Sequence, residues 1–179
     1  MNAVPFSIHE VDFTDANDCA KFKEVYVDLS YVLTQTDAET NARYYSTIIQ
    51  YDLVDNDSLS LEYENLIKNE DRNVCLFFAI SELTKNPIGM VTLSRWKTGT
   101  PDQEYWSIGN FAVCPKYQNA GVGKQFLERV MNIISERDET MSFFSLYVTE
   151  GNNHAERVYK TLQFESVSKY MICKKVHKE

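Results

Sequence analysis

Gly121 and Gly123 are two of only six glycines in this chain of 179 residues, and they lie together in the segment VCPKYQNAGVGKQFL at 113–127. An apolar run that predicts a strand precedes them, and an amphipathic pattern that predicts a helix follows. Glycines at such a turn let main-chain N–H groups approach a ligand without a Cβ in the way. The helix directs its unbonded N–H groups at the same point, so the segment predicts a phosphate site. A tight strand-to-helix turn without a ligand would also explain a lone glycine pair.

The spacing around the two glycines distinguishes three phosphate-binding motifs. A Walker A loop needs a glycine where Gln118 stands and a serine or threonine where Gln125 stands. A dinucleotide-binding fingerprint needs a third glycine, and Phe126 occupies that position. The match that remains is Q-x-x-G-x-G between a strand and a helix. It resembles the acetyl-CoA-binding segment of the N-acetyltransferase (GNAT) family.

A second segment, LYVTEGNNHAERVYKTLQFESV at 146–167, is similar to another signature of the same family. That signature has a strand, an asparagine, an alanine three positions later, a tyrosine and a closing phenylalanine. The corresponding residues here are Asn152, Ala155, Tyr159 and Phe164. Because both segments occur in the expected order, the chain is identified as a member of the GNAT family.

The resemblance implies a fold and a cofactor site. The fold is α/β, a mixed central sheet with helices on both faces, and its fourth and fifth strands splay apart to leave a V-shaped slot. These strands would be Tyr105–Val113 and Phe143–Thr149. Acetyl-CoA would lie in the slot, its pantetheine arm bonded to the end of the fourth strand and its pyrophosphate held by loop N–H groups. The implied binding residues are Phe111, Ala112, Val113, Gln118, Asn119, Ala120, Gly121, Val122, Gly123, Lys124, Asn152 and Ala155.

Tyr159 matches the general-acid tyrosine of the family. The implied reaction is attack by a primary amine on the thioester carbonyl of acetyl-CoA, with the CoA thiolate leaving. A phenol, with a reference pKa of about 10, can donate the proton that the thiolate needs. Main-chain N–H groups can stabilise the developing oxyanion. Tyr159 shares an apolar face with Ala155 and Leu162, which would also fit a core aromatic, but the neighbouring Asn152 and Phe164 favour the catalytic role.

Three positions depart from the family pattern. Gln163 replaces the glycine that usually ends the last helix in the left-handed conformation. Gln118 stands where arginine is common, so a side-chain charge is lost. Ser107 stands where some members carry a basic glutamate, which leaves removal of the amine proton unassigned. The groups that stay open for that role are Glu104, Glu150 and His154.

The charge of the chain is unevenly distributed. Residues 1–73 hold 15 acidic and 5 basic side chains, a balance of -10, and residues 74–179 hold 11 acidic and 13 basic, a balance of +2. Solvated helix faces would explain this, and so would a cationic ligand on one side of the molecule and an anionic one on the other. The leading hypothesis is therefore an acetyl-CoA-dependent N-acetyltransferase with a cationic small-molecule or peptide amine as acceptor. The alternatives are a non-catalytic CoA-binding or sensor domain on the same fold, and an interaction module.

Composition restricts the remaining possibilities. A net charge of -8 disfavours a protein that binds duplex nucleic acid by neutralising phosphates. No apolar run has the roughly 18 residues of a membrane span, and the N-terminus does not resemble a signal peptide. The four cysteines and three histidines are scattered, so we expect reduced thiols, no metal and a cytoplasmic location. We expect one domain over residues 1–179, and the family adds a homodimer as an expectation.

Hydrophobic periodicity predicts the elements that would position these residues. The expected strands are Ser7–Asp12, Val74–Ser81, Ile88–Arg95, Tyr105–Val113, Phe143–Thr149 and Ser166–Val176. The expected helices span Phe22–Leu33, a segment that begins at the capping-box spacing of Thr36–Glu39, Leu59–Ile67, Val122–Ile134 and Ala155–Leu162.

Overall fold

The computed structural model describes residues 4–45, 55–68, 73–99, 103–149 and 151–167. The strands are β1 (Phe6–Glu10), β2 (Val74–Ser81), β3 (Pro87–Lys97), β4 (Glu104–Ile108), β5 (Ala112–Val113) and β6 (Met141–Leu146). The helices are α1 (Ala16–Tyr45), α2 (Asn56–Ile67), α3 (Val122–Arg137) and α4 (Asn153–Thr161).

The strands form one mixed, open sheet. Its order is β1-β2-β3-β4-β6, and β5 pairs with β3 beyond the end of β4. The pairs from β1 to β4 are antiparallel, whereas β4 and β6 are parallel. The mixed sheet expected from the sequence is confirmed.

Helices cover both faces of this sheet. α3 packs its apolar stripe on one face, and α1 and α2 pack on the other. β2 contributes to both cores, since Phe77 contacts the α3 side and Phe78 the α1 side, and their exposed fractions are 1% and 0%. A strand buried on both faces has a continuous apolar sequence, as VCLFFAIS does.

The capping-box spacing of Thr36–Glu39 does not begin a helix, so this prediction was wrong. α1 runs without a break from Ala16 to Tyr45 and joins two predicted helices into one. A capping residue needs non-helical backbone, and the segment before Thr36 has no glycine or proline to end the first helix. The helix predicted at Leu59–Ile67 is present as α2, but it begins earlier, at Asn56, where the Asp55 carboxylate accepts the N–H of Ser58 at 2.7 Å.

The strand predicted at Tyr105–Val113 is divided by a β-bulge. β4 pairs with β3 as far as Ile108 opposite Leu93, and β5 resumes the pairing with Ala112 opposite Met90. Residues 109–111 therefore face only residues 91–92, and the extra residue bends the strand. The expectation of a continuous strand was wrong because hydrophobic alternation does not reveal one inserted residue.

The parallel pairing of β4 with β6 ends where the bulge begins. The last pair is Ile108 with Leu146, after which β5 pairs with β3 and residues 147–149 leave the sheet. The splayed strands are thus confirmed, although β6 ends before the predicted boundary at Thr149. Apart from 166–167, the strand predicted at Ser166–Val176 lies outside the described residues. Among those residues, no helix combines the length and apolar character of a membrane span.

Candidate active site

A cavity of about 660 Å³ opens where β4 and β6 diverge. It brings the two signature segments of the sequence together. The predicted residues that line it are Phe111, Ala112, Val113, Gln118, Asn119, Gly121, Gly123, Lys124, Asn152, Ala155 and Tyr159. The side chains of Ala120 and Val122 instead pack against the core, and the prediction gives these two residues only main-chain contacts. We call the side formed by residues 111–113, residues 118–124 and α4 the glycine-loop wall.

The backbone of the loop before α3 adopts left-handed conformations. Gly121 is the N-cap of α3 and has a φ of 78°, and Asn119 has a φ of 60°. Among the described residues, a Cβ added at Gly121 would have only Gln125 Nε2 within 4 Å, at 3.6 Å, so these residues leave the space beside the glycine open. Gln118 holds the loop against the sheet, because its Nε2 donates to the Val113 carbonyl at 2.9 Å.

The first turn of α3 faces this open space. The first described helical bond runs from Gln125 N–H to the Gly121 carbonyl at 3.2 Å. The N–H groups of residues 122–124 therefore have no partner within the helix. Lys124 adds an exposed positive charge on the same turn. Together these groups suit an anion.

Asn152 serves as the N-cap of α4. Its Oδ1 accepts the N–H of Ala155 at 3.2 Å, which leaves Nδ2 as the donor for a ligand. Asparagine is among the preferred residues at this position. The predicted contact of Asn152 with the pantetheine arm would thus use the amide nitrogen.

α4 ends in a turn that fixes the ring of Tyr159. Gln163 has a φ of 67°, and Phe164 N–H donates to the Tyr159 carbonyl at 3.1 Å. A second bond runs from Gln163 N–H to the Lys160 carbonyl at 3.1 Å, which completes a Schellman motif. Gln163 therefore adopts the left-handed conformation that glycine usually has at this position. The Tyr159 ring lies 6.0 Å from that of Phe164 and 6.4 Å from that of Phe111.

The candidate proton acceptors differ in whether they line the cavity. Glu104 lies outside the cavity and binds Arg95 and Lys97, and its bond from Lys97 holds the pKa of its carboxyl below the usual value. It is therefore not a base for this site. Ser107 and the exposed His154 line the cavity, and Glu150 is outside the described residues. No group of three His, Cys, Asp or Glu side chains that could hold a metal is found in the described parts of the chain.

The opposite side of the cavity was not predicted. Val32 and Leu33 of α1 line it together with Asn110 of the bulge. Asn110 Nδ2 lies 2.9 Å from the Tyr26 hydroxyl oxygen and 2.8 Å from Glu62 Oε1. We call these five residues the helix-pair wall, in which Val32, Leu33 and Asn110 line the cavity and Tyr26 and Glu62 support it through Asn110. A glycine and an asparagine that interrupt an apolar run, as Gly109 and Asn110 do, were a signal for a bulge at this place.

Tyr26 is the buried anchor of the helix-pair wall. Its exposed fraction is 0%, and its hydroxyl donates to Glu62 Oε1 at 2.7 Å. Burial raises the pKa of Tyr26 above its usual value, and the bond to Glu62 and the negative charge of that residue act in the same direction. The phenol is therefore a neutral donor throughout the physiological pH range.

Residues 38–164 match the family model of the acetyltransferase (GNAT) family. The chain belongs to the GNAT family. The first signature segment and the residues Asn152 to Phe164 of the second lie within the matched region, and the open mixed sheet with diverging strands agrees with the fold implied by the sequence. Membership supports acetyl transfer as the general activity.

Solved structures of other GNAT acetyltransferases share this fold. A possible acetyltransferase from Clostridium difficile 630 has a TM-score of 0.67 and 16% identity, over 97% of this chain and 99% of that chain. A predicted acetyltransferase from Clostridium acetobutylicum, solved with acetyl-CoA, has a TM-score of 0.63 and 15% identity, over 95% and 96%. An aminoglycoside acetyltransferase from an uncultured soil metagenomic sample, solved with sisomicin, has a TM-score of 0.59 and 14% identity, over 97% of both chains. No curated protein sequence matches this chain significantly.

Proposed function

We propose that this GNAT protein is an N-acetyltransferase that uses acetyl-CoA to acetylate a cationic amine. The observation that carries the proposal is one cavity, placed between diverging strands, that combines an anion-binding loop with the phenol of Tyr159. Its two walls differ in chemistry, as a site for two different substrates requires.

The glycine-loop wall fits acetyl-CoA. Gly121 leaves open space where any side chain would stand, and the first-turn N–H groups of α3 with Lys124 suit the pyrophosphate. The cavity volume of about 660 Å³ is within the range for small-molecule sites. Asn152 Nδ2 and the main chain of residues 111–113 would bind the pantetheine arm along the slot.

The groups that would act on the reacting atoms lie on the glycine-loop wall. Acetyl-CoA supplies an activated acyl group, and the acceptor amine in its neutral form attacks the carbonyl carbon. The C–N bond forms, the C–S bond breaks, and the nitrogen releases its extra proton to water. Tyr159 would donate its phenolic proton to the departing sulfur, and main-chain N–H groups at the slot would stabilise the negative charge on the carbonyl oxygen. The contacts with Phe111 and Phe164 hold the ring in place for that transfer.

The acceptor is proposed to be cationic. Residues 1–73, which include α1 and α2, carry the balance of -10, and Val32 and Leu33 of α1 line the cavity. An amine that carries positive charge would be attracted to this side while the anionic phosphates lie on the other.

The direct test measures CoA release from acetyl-CoA by the full chain, with acceptors that span polyamines, amino acids, aminoglycosides and peptide N-termini. We expect turnover with at least one cationic amine. Without an acceptor, CoA release should not exceed the rate of slow hydrolysis. Tight binding of acetyl-CoA with no turnover for any amine would favour a CoA-binding or sensor domain. The position of Ser107, where a basic glutamate could stand, gives that alternative its support.

A further inference from the structure

We infer that Glu62 binds a positive charge of the acceptor and thereby selects amines that carry a second ammonium group. This inference rests on the proposed function and adds the residue that determines its substrate class. The observation behind it is the contact of Glu62 with both a buried phenol and a residue that lines the cavity.

Two hydrogen bonds hold the Glu62 carboxylate in place by one oxygen. Oε1 accepts from the Tyr26 hydroxyl at 2.7 Å and from Asn110 Nδ2 at 2.8 Å. Tyr26 is fully buried, whereas Glu62 as a residue is exposed. Oε1 is therefore anchored towards the interior, whereas Oε2 accepts a hydrogen bond from none of the described residues.

Within the described part of the chain, no basic side chain neutralises the charge of Glu62. Its two partners are neutral donors, and no Lys or Arg nitrogen of the described residues lies within 4 Å of its carboxylate. Glu64, two positions further along α2, shows the contrast, since its carboxylate binds Lys23 at 2.8 Å and Lys68 at 3.6 Å. An ammonium group that reached Oε2 would form a charge-assisted hydrogen bond, which is about twice as strong as a bond between neutral groups.

The position of Asn110 connects this charge to the reaction. Asn110 lies in the bulge between β4 and β5, the same bulge that opens the slot, and it lines the cavity. A cation bound to Oε2 would therefore lie close to Asn110. The carbon chain of the acceptor could then contact Val32 and Leu33, which line the cavity. The chemical class that fits has an alkyl segment between the reacting amine and a second ammonium.

A purely structural role would use the same bonds to join α1, α2 and the bulge. Glu62→Gln separates the two roles, because the amide oxygen of glutamine can still accept from Tyr26 and Asn110 while the charge is removed. Glu64→Gln is the matched control, since it removes a charge from the same helix at a site that already has lysine partners.

The experiment uses the full chain of wild type, Glu62→Gln and Glu64→Gln. Acetyl-CoA affinity is measured by calorimetry and stability by urea unfolding. Steady-state CoA release is measured with 1,4-diaminobutane, spermidine and sisomicin as cationic acceptors, with 1-aminobutane as the probe that lacks a second charge, and with glucosamine 6-phosphate as an anionic probe.

The inference expects wild type to prefer a cationic acceptor over 1-aminobutane by at least about tenfold in kcat/KM. Glu62→Gln should raise KM for that acceptor by about 10- to 100-fold, the usual effect of losing a hydrogen bond to a charged group. Activity with 1-aminobutane and affinity for acetyl-CoA should not change, and Glu64→Gln should behave as wild type.

Several results would overturn the inference while the proposed function stands. These are a wild type that acetylates only neutral or anionic amines, and a Glu62→Gln variant whose KM for the cationic acceptor is unchanged. A third is equal loss with every acceptor together with lost stability, which is the pattern of a structural role. A wild type that does not bind acetyl-CoA would instead overturn the proposed function itself.

Discussion

The two walls of the cavity are built from different parts of the polypeptide. The glycine-loop wall presents main-chain groups, and its shape depends on left-handed backbone at Asn119 and Gly121. The helix-pair wall presents side chains, and its contacts join residues far apart in the sequence, with 84 positions between Tyr26 and Asn110 and 36 between Tyr26 and Glu62. The backbone conformation of the glycine-loop wall restricts which residue types can occupy each of its positions. The helix-pair wall depends instead on how elements that are distant in the sequence pack together.

This difference explains what each wall would recognise. Main-chain N–H groups bind phosphates of any ligand that fits, so one loop can serve a whole family with a shared acyl donor. Side chains on two packed helices can change individually without altering the sheet. We therefore propose that side-chain contacts such as that of Glu62 with Asn110, which no short motif describes, select the acceptor.

The largest expected effect is that of Tyr159→Phe on the glycine-loop wall. The change removes the proposed proton donor but keeps the ring that contacts Phe111 and Phe164. General acid catalysis contributes about 10²–10⁴-fold, so kcat should fall in that range while KM for acetyl-CoA stays within a few-fold. Single-turnover rates give the chemical step directly.

Tyr105→Phe is the matched control for that variant. Tyr105 stacks on Phe143 at 5.0 Å and does not line the cavity, so loss of its hydroxyl should not affect kcat. A folded Tyr159→Phe protein with a chemical step at the wild-type rate would make Tyr159 a core aromatic and leave the general acid unassigned.

The next effect concerns Gly121 and the binding of acetyl-CoA. Gly121→Val places a branched side chain in open space and at a φ of 78°, where such residues are strained. We expect acetyl-CoA affinity, measured by calorimetry, to fall by about 100-fold or more, which corresponds to about 2.7 kcal/mol. Gly99→Val is the control, because a Cβ there has nothing within 4 Å and the backbone is not left-handed. If a folded Gly121→Val protein bound acetyl-CoA with wild-type affinity, the loop at Gly121 would not be part of the acetyl-CoA site.

A smaller effect is expected at the bulge that supports the helix-pair wall. A Cβ added at Gly109 would lie 2.5 Å from Thr92 Oγ1, so Gly109→Ala should destabilise the protein by about 1–3 kcal/mol. Adding Thr92→Ala removes the clashing oxygen and should recover part of that loss. Urea unfolding of both single variants and the double variant measures the coupling. Strictly additive changes would show that the two residues do not meet.

The smallest effect concerns the end of α4. Gln163 holds a left-handed conformation that costs a residue with a Cβ about 1–2 kcal/mol, and glycine avoids this strain at some cost in chain entropy. Gln163→Gly should therefore stabilise the fold by about 0.5–1 kcal/mol in urea unfolding and leave kcat unchanged. Gln125→Gly, within α3, should destabilise it by about 1 kcal/mol. Destabilisation by Gln163→Gly would contradict the left-handed assignment.

Sequence patterns predicted the sheet and the glycine-loop wall because both leave local signals. The apolar run of β2 reflects burial on both faces, and the pair Gly121 and Gly123 reflects a close approach of backbone. The helix-pair wall left no such signal, since Tyr26 and Glu62 look like ordinary members of amphipathic helices. The false boundary at Thr36 has the same origin, because a capping box is a local pattern that the continuous helix α1 overrides.

We propose that acetyl-CoA binds to main-chain N–H groups of residues 118–124. Amide hydrogen exchange of the full chain, with and without acetyl-CoA, tests it directly. At about 100 times the dissociation constant, exchange in 118–125 and 111–113 should slow by up to about 100-fold, while 56–67 of α2 changes little. If binding slows exchange in α1 and α2 but leaves exchange in residues 118–125 unchanged, acetyl-CoA does not bind to this loop.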